Sequence, residues 1–170
     1  MNVKKLTTMA LLLSLALVIF VAESFLPPLV PMPGVKLGLA NIITLAAVYL
    51  LGRKEAFAIL VLRIVLASVF SGGMSGFLYS MAGGLVCFAV TALLSMKLKE
   101  NRMWVVSVFG AIGHNIGQIA VACIVIGSAY IMWYIPFLVI SAIITGVFTG
   151  IAAQASTAHI RKLQKKVLKP

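Results

Sequence analysis

The stretch PPLVPMPGVKLGLANIITLAAVYL, residues 27–50, decides how the chain is read. Four prolines, at 27, 28, 31 and 33, suit a turn, and a run of apolar residues then continues toward Leu50. That run carries Lys36 and Asn41 where hydrocarbon would accept only carbon. Around the stretch the composition is that of a membrane protein: 62% of the 170 residues are apolar and 10% are charged, against roughly half and a quarter in soluble domains. With about 20 apolar residues needed per crossing, about six crossings fill the chain. One integral membrane domain, 1–170, is expected.

Reading apolar runs between charge and turn clusters predicts helices near 6–26, 35–51, 55–70, 77–96, 103–127 and 134–158. Proline and glycine clusters, GRKE at 52–55, KLKENR at 97–102 and GSAYIMWY at 127–134 separate them. The first run has a basic start and a small residue, Ala22, near its end, like a secretory signal. It is long enough to cross a bilayer, so a retained first helix is expected. If both termini are cytoplasmic, the inner segments hold 12 of the 14 basic residues, as the positive-inside rule requires. Tyr130, Trp133 and Tyr134 then mark the outer interface. The expected architecture is therefore an all-α, multi-pass bundle of six transmembrane helices in the cell membrane.

The net charge of +11 does not point to nucleic acid, because the basic residues punctuate apolar runs instead of gathering on one face. Cys87 and Cys123 lie within apolar runs, where an unpaired thiol is the usual outcome. Small and hydroxylated residues form stripes: Gly76, Ser80, Gly83, Cys87 and Thr91 in the fourth run, and Ser141, Thr145, Thr149, Ala152 and Ser156 in the sixth. With the pairs Gly34/Gly38 and Gly113/Gly117, these read as helix-packing faces.

Ionisable groups in a membrane interior cost several kcal/mol and mark cavities or partners. Glu23, Lys36, Arg63 and His114 fall within the spans or their outer ends, and Asn41, Asn115 and Gln118 add uncharged polar groups. Together these seven are the candidate substrate-binding residues. A buried Glu23–Arg63 ion pair is one structural account of Arg63, and snorkelling is one for Lys36. Lys36 and Asn41 would stand about 140° apart on a helix, and Asn41, the deeper, is the better inward contact. Two cations beside one carboxylate favour an anionic or mixed polar ligand.

No phosphate-binding loop and no zinc spacing occurs, and a chain without aspartate lacks the carboxylates that hold Mg²⁺-diphosphate. Neither catalysis, a cofactor nor a metal is expected. Taken in order, PGVKLGLANI at 33–42, GRKEAF at 52–57, LRIVLASVFSGG at 62–73, SMAGGL at 80–85 and GAIGHNIGQI at 110–119 resemble the Gx transporter family, also labelled heptaprenyl diphosphate synthase component I. The resemblance implies a fold like the substrate-binding S-components of energy-coupling factor importers, which capture vitamin-like molecules and dock on a transmembrane and ATPase module. The Ala-xxx-Ala docking face of those proteins has no clear match in the first run, where Ala10 pairs with Ser14. The label also implies an alternative, a non-catalytic membrane subunit associated with polyprenyl diphosphate or menaquinone synthesis or with a redox assembly.

Overall fold

The computed structural model describes residues 3–26, 37–71 and 74–167. Among these the chain forms six α-helices and no strand: α1 Val3–Ser24, α2 Asn41–Leu50, α3 Arg53–Ser71, α4 Met74–Leu94, α5 Met103–Ile126 and α6 Ile135–Val167. Short 3₁₀ turns at Glu100–Arg102 and Ala129–Tyr134 lead into α5 and α6. Four helical stretches, Val3–Ser24, Gly76–Leu94, Glu100–Ile126 and Ala129–Leu163, are long and apolar enough to cross a membrane.

Polarity is distributed inside out. Phe70, Ile124, Phe137 and Phe148 are at least two-thirds exposed, while Glu23, Arg63, His114, Asn115 and Gln118 are all more than nine-tenths buried. In water such an apolar exterior would drive aggregation; against lipid tails it is the ordinary surface of a membrane bundle, and the chain is a membrane protein on this ground as well as on composition.

The middle of the bundle is α5, clasped between α4 and α6. Glycine makes both contacts close. A Cβ on Gly117 would lie 2.6 Å from the Ala82 carbonyl oxygen, and one on Gly150 would run into Trp104 Cα. Gly110 faces Cys87 and Thr91, and Gly113 faces Val86 and Val90, so the glycine face expected on the fifth helix is the α4 contact. On α6 the inward line is Ala142, Gly146, Thr149, Gly150, Ala153 and Thr157. It is rotated from the stripe expected from hydroxyl spacing, and Ser156 is exposed, because the backbone approach at Gly146 and Gly150 sets the facing side.

The second span departs most from expectation. Instead of a helix over 35–51, α2 has 10 residues, about 15 Å of rise against a hydrocarbon layer of about 30 Å. Gly38, at φ 76°, favours a left-handed turn that side-chain-bearing residues avoid. The N–H groups of Asn41, Ile42 and Ile43 bond back to the carbonyls of Gly38, Leu39 and Ala40, which leaves the donors of residues 38 and 39 to be satisfied from elsewhere. Glu23 on α1 does this, its two carboxylate oxygens accepting from Gly38 N at 2.6 Å and Leu39 N at 3.0 Å. Gly34 lies outside the described residues, and Gly38 is in a turn, so that pair is not a helix-packing motif here.

At the other pole of α2, Arg161 donates from Nη2 to the Tyr49 carbonyl at 2.9 Å and from Nε to Glu100 Oε2 at 3.0 Å. The Tyr49 hydroxyl donates to the Leu98 carbonyl, and Lys5 pairs with Glu55. These contacts lace the basic end of the bundle, and both cysteines are free thiols.

The close approaches give a direct test. Gly117→Ala and Gly150→Ala push a methyl group into opposing backbone, and each should lower stability by about 1–3 kcal/mol. Gly76→Ala meets nothing within 4 Å and should be neutral or stabilising. Unfolding by denaturing detergent in mixed micelles compares the three.

Candidate functional site

Asn41, the first residue of α2, is the hub of the buried polar groups. Its Oδ1 accepts from Arg63 Nη2 at 3.2 Å, and its Nδ2 lies 3.2 Å from His114 Nδ1. A guanidinium can only donate, so Arg63 fixes which end of the amide faces it. The amide nitrogen is thereby turned to His114 Nδ1. One amide thus bridges a cation from α3 and an imidazole from α5.

The imidazole is held in a slot between two glycines. A Cβ on Gly38 would lie 3.0 Å from His114 Cδ2 and Nε2, and one on Gly83 would lie 2.8 Å from His114 Cε1 and 2.9 Å from Gln118 Cγ. Gly38 therefore serves the turn and the slot together, and any side chain at either position would displace the ring.

Two cavities flank this hub. One is lined by Phe20, Glu23, Arg63, Ser80, His114 and Gln118 among others, and the second by Asn41, Cys87, Thr91, Ser107, Thr145 and Thr149. Gly38 borders both. Each leaves ≈ 20 Å³ of free space, enough for a water molecule and far below the volume of roughly 300 Å³ or more that encloses a drug-sized ligand. Arg63 is 4% exposed, and its Nε has no acceptor among the described residues. This is an incompletely satisfied buried charge at the wall of a cavity.

Of the seven predicted residues, Glu23, Asn41, Arg63, His114 and Gln118 converge here. Glu23 shares the cavity with Arg63, but its oxygens serve the Gly38–Leu39 backbone, and Asn41 is what positions the guanidinium. Asn115 turns the other way and donates to the Leu138 carbonyl on α6 at 2.8 Å, a link between helices. Lys36 lies outside the described residues. Because residues 37–40 are not helical, the helical angle between 36 and 41 does not apply. Sequence reasoning missed Gly38 and Gly83 as the histidine slot and Ser107 altogether. Ser107 meets Thr149 across two helices at 2.9 Å, and no spacing within one helix signals that pairing.

Asn41→Leu should be the costly substitution. It strands Arg63 Nη2 and His114 Nδ1 in the interior, for a loss of roughly 2–4 kcal/mol, whereas Asn115→Leu removes one bond to a helix carbonyl and should cost about 1 kcal/mol. Equilibrium unfolding of the two variants in mixed micelles should separate them by that margin.

A family model described as heptaprenyl diphosphate synthase component I matches residues 12–156, from near the middle of α1 to two-thirds of the way along α6. Every predicted site residue falls inside the match. No curated relative and no solved structure matches the chain. With 12–156 matched in a chain of 170 residues, the protein belongs to the heptaprenyl diphosphate synthase component I family.

Proposed function

We propose that this chain is the membrane-embedded substrate-binding component of a small-molecule importer of the energy-coupling factor S-component type, with its ligand site at the Arg63–Asn41–His114 hub. One observation carries the reading: Arg63, near the middle of α3, is buried with Nε lacking an acceptor among the described residues and lines a cavity shared with Glu23, His114 and Gln118. A cation that served packing alone would be fully paired, since each unmet donor in a membrane interior is costly. A cation left partly unmet beside a cavity is what a binding site for an anionic or mixed polar molecule requires. The site opens to the outer side, away from the basic end, and a separate ATPase-bearing module supplies energy.

The family description favours a second reading, a non-catalytic membrane subunit of a prenyl diphosphate synthase assembly. Lys97, Lys99 and Arg102, all exposed at the basic end, would then form the partner surface. The two readings part in one experiment. The protein is purified from its own membranes under mild detergent, and both its released small molecules and its protein partners are identified by mass spectrometry. The importer reading expects a near-stoichiometric small molecule on the wild type, reduced about tenfold or more in Arg63→Gln, together with an ATPase-linked membrane module. Equal small-molecule content in both proteins, with a prenyl synthase as the captured partner, would sink it in favour of the second reading.

A further inference from the structure

The two cavities beside Asn41 differ in hydrogen-bonding sense, and that difference specifies a ligand. In the first, Arg63 Nε is a buried donor without an acceptor among the described residues. In the second, three hydroxyls have already committed their protons. Thr145 Oγ1 donates to the Ser141 carbonyl at 2.9 Å and Thr149 Oγ1 to the Thr145 carbonyl at 2.8 Å, and a carbonyl oxygen has no proton to return. The Ser107–Thr149 contact at 2.9 Å must then have Ser107 as its donor. Each hydroxyl has a single proton, so what this α5–α6 wall offers a guest is lone pairs. The first compartment thus holds a buried donor, Arg63 Nε, beside the Glu23 carboxylate, and the α5–α6 wall of the second offers acceptors, with Cys87 and Thr91 of α4 facing it.

Asn41 stands between them. It lines the second cavity, and its amide is bonded to Arg63 and His114, which line the first. Gly38, three residues earlier in the same turn, borders both. The amide also mimics the guest, with its carbonyl oxygen occupying the acceptor role toward Arg63.

We infer that the two cavities are halves of one ligand site partitioned by the Asn41 side chain, and that its ligand is a bipolar small molecule: a carboxylate or other anionic acceptor at the Arg63 end and a hydrogen-bond donor, a hydroxyl or N–H, at the Ser107–Thr145–Thr149 end. This rests on the ligand-site reading above and specifies its chemistry. Binding displaces the Asn41 amide from Arg63 and joins the compartments, which individually admit only water. The anionic end replaces the Asn41 carbonyl on the guanidinium, and the donor end meets lone pairs that are otherwise unmatched.

The probes are ω-hydroxycarboxylates of graded length, from 4-hydroxybutyrate to 8-hydroxyoctanoate. Each is compared with its ω-methoxy ether, which keeps the oxygen but loses the donor, and with its ω-hydroxyamide, which loses the anionic charge. Calorimetry on the full chain in nanodiscs reads the affinities. At the best length the hydroxy acid should bind about tenfold tighter than the ether and about tenfold tighter than the amide. The first ratio should fall to within about twofold in the Ser107→Ala/Thr149→Val double variant, and the second in Arg63→Gln, with Arg63→Lys restoring part of it. Unfolding transitions of the unliganded variants identify any that fail to fold, and Thr149→Ser, which keeps the hydroxyl, should retain the first ratio. Equal binding of ether and hydroxy acid, or of amide and acid, overturns the assignment. If no probe binds while a small molecule still co-purifies with the wild type, this polarity falls and the importer reading stands. If neither occurs, both fall.

Discussion

The structure depends on one constraint of hydrocarbon: a backbone N–H that leaves a helix must find an acceptor inside the protein, because no water will supply one. The chain leaves its helical path just ahead of Asn41, and the carboxylate of Glu23 takes the two displaced donors at Gly38 and Leu39. Arg161 answers at the opposite pole by binding the Tyr49 carbonyl. A short helix therefore carries an anion at its positive end and a cation at its negative end, the arrangement that its macrodipole favours, by up to about 2 kcal/mol in partly buried settings. With α2 held at both ends by α1 and α6, Asn41 is placed at a fixed depth, and from there it orders Arg63 and His114.

Much of this could be read from residue types. Six helical runs, the basic end and the convergence of Glu23, Asn41, Arg63, His114 and Gln118 follow from hydropathy and from the cost of polar groups in lipid. What escaped reading was everything that depends on a neighbour's backbone. The broken second span looked continuous because Gly38, Leu39 and Ala40 are as apolar as a helix interior, and only a carboxylate 15 residues earlier makes the turn affordable. Glu23 and Arg63 looked like an ion pair because opposite charges in one membrane are expected to meet. Glu23 does share a cavity with Arg63 and acts on it through charge, while its two oxygens accept from the backbone N–H groups of Gly38 and Leu39.

Asn115 and His114 show the limit of helical angles. They are adjacent in sequence and both buried, yet one is a link to α6 and the other a member of the site, since 100° of rotation carries a side chain from one neighbouring helix to the next. Glycine settles which is which. Gly38 and Gly83 clear room for the imidazole, while Gly113 and Gly117 bring α4 against α5 so that the ring has nowhere else to go. The same residue type thus performs turn, slot and seam, and only contacts distinguish the three.

The last helix has 33 residues without a break, about 50 Å of rise in a layer about 30 Å thick. Even with an ordinary tilt it reaches past the hydrocarbon at the basic end, where Arg161 grips the end of α2 and the turn before α5. Thr145 and Thr149 ride on that same rod, with three to four turns of uninterrupted helix between them and Arg161. Such a rod is stiff over this length, so a shift of α6 at the hydroxyl wall arrives at the water-facing latch as a displacement of comparable size. The interior of the protein and its charged end are mechanically one piece.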